Sequence, residues 1–225
     1  MNKKGFIFDL DGVIVDTAKY HFLAWRKLAN GLGIDFTHEE NEQLKGVSRV
    51  RSLEKILEWG GKTLSEEEFT RLMAKKNEEY LGYINKMDAS EILPDVNRVL
   101  EFLSEKNQGV ALGSASKNAR PILEKVNLLD KFNAIVDGND VSKAKPDPEV
   151  FLIGAKLLNM RPEDCVVFED SVAGIQAANK ADMISIGIGE KDVLHEADYV
   201  FKDFTEMSEE FIEAIVSDKV TKKIN

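Results

Sequence analysis

Two aspartates, Asp9 and Asp11, directly follow the apolar run Gly5-Phe6-Ile7-Phe8 and precede Gly12 and Val13. A run that short and that rich in aromatics reads as a buried strand, so both acids fall where a strand ends and a loop begins. Such loop ends are where α/β proteins carry their chemistry. If the extended backbone persists one residue further, the two carboxylates aim at one spot, and Gly12 lets the chain turn away tightly. Two negative charges held that close repel, and a hard cation such as Mg²⁺ relieves the repulsion. Taken alone, the same residues also describe a solvated acidic turn; the other strand ends decide between the two.

The elements that must position these acids follow from periodicity. After Val15 the Asp16-Thr17 pair is placed to cap a helix with apolar positions Phe22, Trp25, Leu28, Ala29 and Leu32, stopped by Gly31 and Gly33. From Thr37 to about Lys86 the pattern is helical throughout, with Ser65 and Glu68 forming a capping box. From Leu93-Pro94 onward, helices alternate with short apolar strands: Gly109–Gly113, Phe132–Val136, Val166–Phe168, Ile184–Ile188 and Tyr199–Phe201. The tail from Lys219 is expected to fray. That alternation predicts a doubly wound parallel α/β sheet, with a small α-helical unit inserted behind its first strand. The expected division is residues 1–16 and 92–225 as the α/β core and 17–91 as a helical cap.

In a parallel sheet all carboxyl ends lie on one edge, so residues just after each strand are neighbours in space. Here these are Asp9 and Asp11, then Ser114-Ala115-Ser116-Lys117-Asn118, the loop 140–145 ending in Lys145, and Glu169-Asp170-Ser171. Carboxylates, hydroxyls and a lysine on one edge suit a phosphoryl group bound together with a divalent metal. Ser114 or Ser116 and the N–H groups leading into the next helix donate to phosphate oxygens, and Lys145 supplies positive charge. Glu169 and Asp170 complete an oxygen shell with Asp9 that favours Mg²⁺ over zinc, since no His or Cys cluster accompanies them. Each piece has an ordinary reading as a helix start, a surface loop or an acidic cap; the four together, in this order at strand ends, do not.

The totals narrow the class. The chain has 225 residues, 43% of them hydrophobic, enough for a sizeable core, and its formal charge of −10 argues against a nucleic-acid or anionic-membrane partner. Cys165 is the single cysteine and reads as a small core residue, so no internal disulfide forms. His38 and His195 read as surface residues. No signal peptide and no run of membrane-spanning length is visible, and a cytoplasmic monomer is expected.

Phe8-Asp9-Leu10-Asp11-Gly12, Ser114, Lys145-Pro146 and Glu169-Asp170 resemble the four signatures of the haloacid dehalogenase superfamily of phosphotransferases, over essentially the whole chain. The resemblance implies that Asp9 is the nucleophile that accepts the phosphoryl group, Asp11 the general acid/base, and Ser114 and Lys145 the phosphate clamps. It also implies Asp9, Asp11 through its carbonyl, and Asp170 as Mg²⁺ ligands, with Glu169 beside them. An ionised aspartate needs orientation and charge neutralisation rather than a base, and in-line phosphoryl transfer depends mainly on both. Asp11, by contrast, needs a pKa raised by burial or by anionic neighbours to give and take a proton.

Within that superfamily the stretches Thr17–Trp25, Asn41–Arg49, Lys76-Asn77 and Ser114–Asn118 resemble its glucose-phosphate mutases. These interconvert β-D-glucose 1-phosphate and β-D-glucose 6-phosphate through β-glucose 1,6-bisphosphate, which also serves as primer. The resemblance makes Thr17, His21, Trp25, Gly46, Val47, Arg49, Ser52, Lys76, Ser116, Lys117 and Asn118 the expected substrate contacts. A mutase needs one reacting and one holding phosphate site, and Arg49, with its bidentate guanidinium, is the expected distal holder. It must also close over the sugar before water reaches the aspartyl phosphate, which puts hinges near Asp16-Thr17 and Asp88–Leu93. Two rivals stand beside this reading: a sugar-phosphate phosphatase of the same fold, and a non-catalytic phospho-acceptor switch of the response-regulator type.

Overall fold

A computed structural model describes residues 3–222. Its centre is a parallel sheet of six strands: β1 (Gly5–Phe8), β2 (Gly109–Gly113), β3 (Ala134–Val136), β4 (Cys165–Glu169), β5 (Ile184–Ile188) and β6 (Tyr199–Phe201), in the order β3-β2-β1-β4-β5-β6. The chain therefore leaves β1 towards one edge and later returns to build the other half, so β1 sits at the point where the strand order reverses. In open parallel sheets that crevice is where ligands bind.

β1 is buried along its whole length because helices cover both faces. On one face Phe6 and Phe8 stack on Phe168, with ring centroids 4.5 Å apart for Phe8, and pack with Val99, Ile122 and Ile212 of helices α5 (Val96–Glu105), α6 (Ala119–Lys125) and α9 (Glu209–Val216). On the other, Ile7 and Val167 meet Phe151 of α7 (Glu149–Leu157) and Ala177 of α8 (Val172–Lys180). Cys165 is a buried member of this second cluster, and burial pushes its thiol up to about 12, so it is an inert core residue.

A third cluster stands apart from the sheet. Phe22, Trp25, Leu28, Phe36, Leu53 and Ile56 join helices α1 (Ala18–Gly31), α2 (His38–Glu42) and α3 (Arg49–Trp59), and α1 also packs against α4 (Glu66–Ile84). Capping boxes open two of these helices, Thr37 with Glu40 and Ser65 with Glu68. Two chain crossings join this helical unit to the sheet. They pair antiparallel at Val15 and Ile92, through Asp16 N–H to the Glu91 carbonyl (3.0 Å) and Leu93 N–H to the Ile14 carbonyl (3.0 Å).

Three local expectations are corrected. Thr17 occupies the N-cap position of α1 but makes no side-chain cap bond; its hydroxyl goes to a carboxylate, a stronger acceptor than an orphan N–H is a donor. Strand β3 starts at Ala134 rather than Phe132, because Phe132 closes a short 3-10 turn over Leu129–Lys131. The tail holds to the body as far as Lys222: Tyr199 donates to the Thr221 carbonyl (3.0 Å) and Lys222 Nζ to the Asn179 carbonyl (3.1 Å). The last residues of the tail, 223–225, lie outside the described residues. No helix among the described residues is long and apolar enough to cross a membrane.

Candidate active site

Parallel register aligns Phe8 with Leu112 on one side and Phe168 on the other, so Asp9 stands level with Gly113 and Glu169, and Ser114 follows one residue beyond. Asp9 N–H still donates to the Phe168 carbonyl (2.9 Å), which holds its side chain at the end of the extended strand. Gly12, at φ +80°, then turns the chain, and a Cβ there would run into the Asp170 carboxylate. The turn thus requires glycine twice over, for its conformation and for its closeness to the acid from β4.

Lys145 is the hub of the buried charges. Its ammonium donates to Asp9 Oδ1 (2.6 Å), Glu169 Oε1 (2.6 Å) and the Gly113 carbonyl (3.1 Å), and lies 4.8 Å from the Phe151 ring centre. All three charged side chains are less than 9% exposed. Burial works against the lysine charge, but the two carboxylates outweigh it and hold the ammonium well above its ordinary range. For Asp9, burial is the main effect and raises its pKa well above the usual carboxylate value, with Lys145 opposing. The absence of a side chain at Gly113 is structural: a Cβ would press to 3.0 Å on both Ile7 and Phe151.

The hydroxyl loop after β2 is pre-wound. Ser114 Oγ accepts from Ser116 N–H (3.0 Å) and Ser116 Oγ from Asn118 N–H (3.2 Å), while Asn118 Nδ2 donates across to Asn77 Oδ1 of α4 (3.0 Å). Lys45, in the turn before α3, reaches Asp170 Oδ2 at 3.4 Å, and Gly46 lies close enough to Ser171 that a Cβ would sit 2.5 Å from its Oγ. The helical unit is therefore seated directly on the strand ends.

Between the two lies a cavity of about 390 Å³, within the range of small-ligand sites. It is lined by Asp9, Asp11, Ser114, Lys145 and Asp170 from the sheet side, by Ser116, Lys117 and Asn118 from the hydroxyl loop, and by His21, Trp25, Gly46, Val47, Arg49, Ser52 and Lys76 from the helical side. Six basic and three acidic side chains face it, so an acidic protein carries a cationic pocket. Arg49 is half-buried and, among the described residues, no carboxylate pairs with it.

Of the expected site residues, Thr17 and Glu169 stand behind the wall rather than in it. Thr17 is fully buried and donates its hydroxyl to Asp11 Oδ1. Glu169, expected as a metal ligand, spends Oε1 on Lys145 and Oε2 on the N–H and hydroxyl of Ser171 (2.8 Å each). Its carboxylate also fills the space beside Gly174 that a Cβ would need. This geometry makes it a brace for Lys145 and the start of α8 rather than a free oxygen donor. Ser52 likewise gives its hydroxyl to the Ser48 carbonyl (3.0 Å), and Trp25 offers a ring face rather than a hydrogen bond.

The acid/base candidates differ in surroundings. Asp11 is raised above the ordinary carboxylate value by burial, with the Thr17 hydroxyl and the Lys76 charge opposing. His21 Nε2 lies 3.9 Å from Asp11 Oδ1, and its Nδ1 lies 2.8 Å from Lys76 Nζ. When Lys76 is protonated it can only donate, so Nδ1 then accepts and the proton of the neutral ring sits on Nε2, facing Asp11. Burial first, then Lys76 and Arg49, lower His21 well below its ordinary pKa and keep it neutral. Lys76 lies over the rings of Trp25 (4.6 Å) and Tyr80 (4.7 Å), and burial with the Arg49 charge pulls it down to about 7.

The donors are of the kind a hard divalent cation takes, and among the described residues no three acidic, His or Cys side chains form a ready-made cage, so a backbone oxygen would have to complete the set. Burial, reinforced by the Glu169 charge, raises Asp170 to about 7, and Asp9, Asp11 and Asp170 crowd one another around the Gly12 turn with Lys45 and Lys145 as the nearby cations. Oxygen-only donors in mutual repulsion are what Mg²⁺ relieves. Three residues that sequence reasoning left without a role take part: Lys45 on Asp170, Ser171 on Glu169 and Tyr80 under His21. Lys45 adjoins Gly46 and was legible by position; Tyr80 lies in an apolar helical stripe and gave no signal.

Comparison with known proteins agrees with this geometry. Residues 3–182 match the family described as haloacid dehalogenase-like hydrolase. The chain is 42% identical over 214 residues to the beta-phosphoglucomutase of Bacillus subtilis, covering 93% of each chain. It is 33% identical over 178 residues to a phosphorylated carbohydrates phosphatase of Thermotoga maritima, covering 78% of this chain and 80% of that one. The crystal structure of a beta-phosphoglucomutase from Clostridium difficile superposes with a TM-score of 0.92 at 42% identity, covering 97% of this chain and 99% of that one. The chain belongs to the haloacid dehalogenase-like hydrolase family.

Proposed function

We propose that this chain interconverts β-D-glucose 1-phosphate and β-D-glucose 6-phosphate through β-glucose 1,6-bisphosphate, with the phosphoryl group carried on Asp9. The observation that carries the reading is a cavity with anion-binding groups at both ends. Lys145 and Ser114 stand beside Asp9, and the unpaired Arg49 faces in from the helical side together with Lys117 of the hydroxyl loop. One phosphate reacts while the other is held, as a substrate that must turn around requires.

In one half-reaction Asp9 bonds to phosphorus as the bond to the sugar oxygen breaks, and Asp11 gives its proton to that oxygen. In reverse, Asp11 takes a proton from the incoming sugar hydroxyl as the aspartyl phosphate bond breaks. Lys145 holds Asp9 Oδ1, which leaves Oδ2 without a protein partner among the described residues. Ser114, Lys145 and the N–H groups of the pre-wound loop meet the charge that develops on the phosphoryl oxygens. Asp9, Asp170 and the Asp11 carbonyl would hold a divalent cation, which would supply positive charge at those oxygens. Glu169 braces Lys145, and Arg49, Lys117 and Asn118 hold the distal phosphate. The helical unit, residues 17–91, acts as a cap on the core formed by 1–16 and 92–225, hinged at the paired crossings Ile14–Asp16 and Glu91–Leu93. A monomer in the cytoplasm is the setting we infer.

A second reading is favoured by the 33% identical relative named as a carbohydrate phosphatase: water in place of a sugar hydroxyl in the second half-reaction. Purified protein with β-glucose 1-phosphate, Mg²⁺ and a trace of the 1,6-bisphosphate separates the two. Glucose 6-phosphate formed with little free phosphate supports the mutase. Stoichiometric free phosphate overturns it in favour of the phosphatase.

A further inference from the structure

Asn77 follows Lys76 on α4 and does not itself line the cavity. Its Oδ1 nevertheless accepts from Asn118 Nδ2 at 3.0 Å, across the boundary between the helical unit and the hydroxyl loop of the α/β core. Both residues are half-buried. Lys45 on Asp170 seats the helical unit at the acidic strand ends, and the Asn77 bond seats it on the loop that carries Ser116 and Lys117. Asn118 is fixed at its backbone by the N–H to Ser116 Oγ (3.2 Å), but among the described residues its side chain makes no hydrogen bond other than the one to Asn77.

A terminal amide has a donor nitrogen on one side and an acceptor oxygen on the other, and a half-turn of the last torsion exchanges them. An anion accepts only from the nitrogen. With Asn77 Oδ1 as acceptor, the Asn118 nitrogen stands at the boundary and spends one of its two protons there, which leaves the second for a ligand in the cavity that Asn118 lines. Resting on the reading of Asn118 as a holder of the distal phosphate, we infer that Asn77 is its positioning residue: the bond from α4 orients the Asn118 amide as a phosphate donor only while the helical unit is seated on the core. The grip on the phosphate that does not react is thereby completed when the two parts meet and given up when they separate. Asn77 acts through Asn118 and touches no reacting atom.

The test is Asn77→Leu, which keeps the size of the side chain and removes the acceptor, made alone and in an Asn118→Ala background. Two donors are compared by the concentration that half-saturates phosphorylation of Asp9: β-glucose 1,6-bisphosphate, which occupies both phosphate positions, and acetyl phosphate, which carries one phosphate only. For the bisphosphate that concentration rises about 5- to 50-fold, a large part of what one hydrogen bond to a charged group is worth. The rate at saturation stays within about twofold, because a phosphate that is only held is bound alike before and during transfer. For acetyl phosphate neither value moves by more than about twofold, and in the Asn118→Ala background Asn77→Leu adds less than about twofold for either donor. An unmoved bisphosphate value in Asn77→Leu, an equal loss for both donors, or the full loss persisting without Asn118 overturns the inference. Asn118→Ala that leaves the bisphosphate value unmoved overturns the reading of Asn118 on which it rests. If the wild type releases phosphate instead of forming isomer, the mutase reading fails, and the same comparison still decides the role of Asn77, because both donors load Asp9 before water or sugar takes the group.

Discussion

Replacing Lys145 by methionine removes the buried cation that contacts both the Asp9 and the Glu169 carboxylates, each 2.6 Å away. The side chain fits the same channel, since the lysine stem already lies against Phe151. What changes is that Asp9 and Glu169 remain buried without their partner and the Gly113 carbonyl loses a donor. Breaking a buried pair in this way costs about 3–5 kcal/mol, which for a chain of this size is a fall in Tm of roughly 6–20 °C. The sign with pH follows from Asp9. Burial already raises its pKa, and Lys145 is the leading effect that opposes the rise, so the variant raises it further. A carboxyl with a raised folded pKa binds more protons folded than unfolded, and stability is lost as pH rises towards that pKa. The deficit of the variant is therefore largest at pH 7 and shrinks towards pH 4–5. Thermal melts of metal-free protein at both ends of that range check it. A variant that melts with the wild type at pH 7, or whose deficit grows on acidification, refutes the account of Lys145 as charge hub.

The remaining predictions concern other walls of the site. Lys76, lowered to about 7 by burial and Arg49, binds fewer protons folded than unfolded above that pH, so it destabilises most at and below pH 7. Lys76→Met accordingly raises Tm at pH 6–7 and gains less than the wild type between pH 7 and 9, as melts across that range will show. Gly12→Ala places a Cβ against Asp170 at a positive φ. The backbone term alone costs about 1–2 kcal/mol, and steady-state kinetics should show activity at least about tenfold down. Asp170, raised to about 7, is at pH 8 without metal a buried charge for which burial and the Glu169 charge outweigh the help from Lys45. Asp170→Asn therefore melts higher than the wild type in chelator, while added Mg²⁺ raises Tm for the wild type and far less for the variant.

The sheet was legible because its strands are short, apolar and separated by helical stretches, and the strand-end residues were legible because parallel topology gathers them without further information. All six expected strands form, and the parallel sheet is the one expected. What was not legible depends on how the folded chain aims each side chain, which spacing alone does not give. Thr17 looks like a helix cap, and only the fold brings Asp11 within reach of its hydroxyl. Glu169 looks like a ligand beside Asp170, yet Lys145 and Ser171 take both of its oxygens. Gly113 reads in the sequence only as the end of a strand, whereas in the fold a Cβ there would press to 3.0 Å on Ile7 and Phe151. Tyr80 falls in a helical apolar stripe, and neither its spacing nor its neighbours in sequence mark it as the ring under His21.

The central claim is that Asp9 carries the phosphoryl group between sugar positions. The most direct measurement is rapid acid quench of the enzyme turning over β-glucose 1-phosphate with Mg²⁺ and bisphosphate primer, followed by peptide mass analysis. One phosphoryl group on Asp9, formed and discharged at least as fast as glucose 6-phosphate appears and absent from Asp9→Asn, is the predicted result. Isomerisation that proceeds with Asp9 unmodified, or that survives Asp9→Asn, contradicts it.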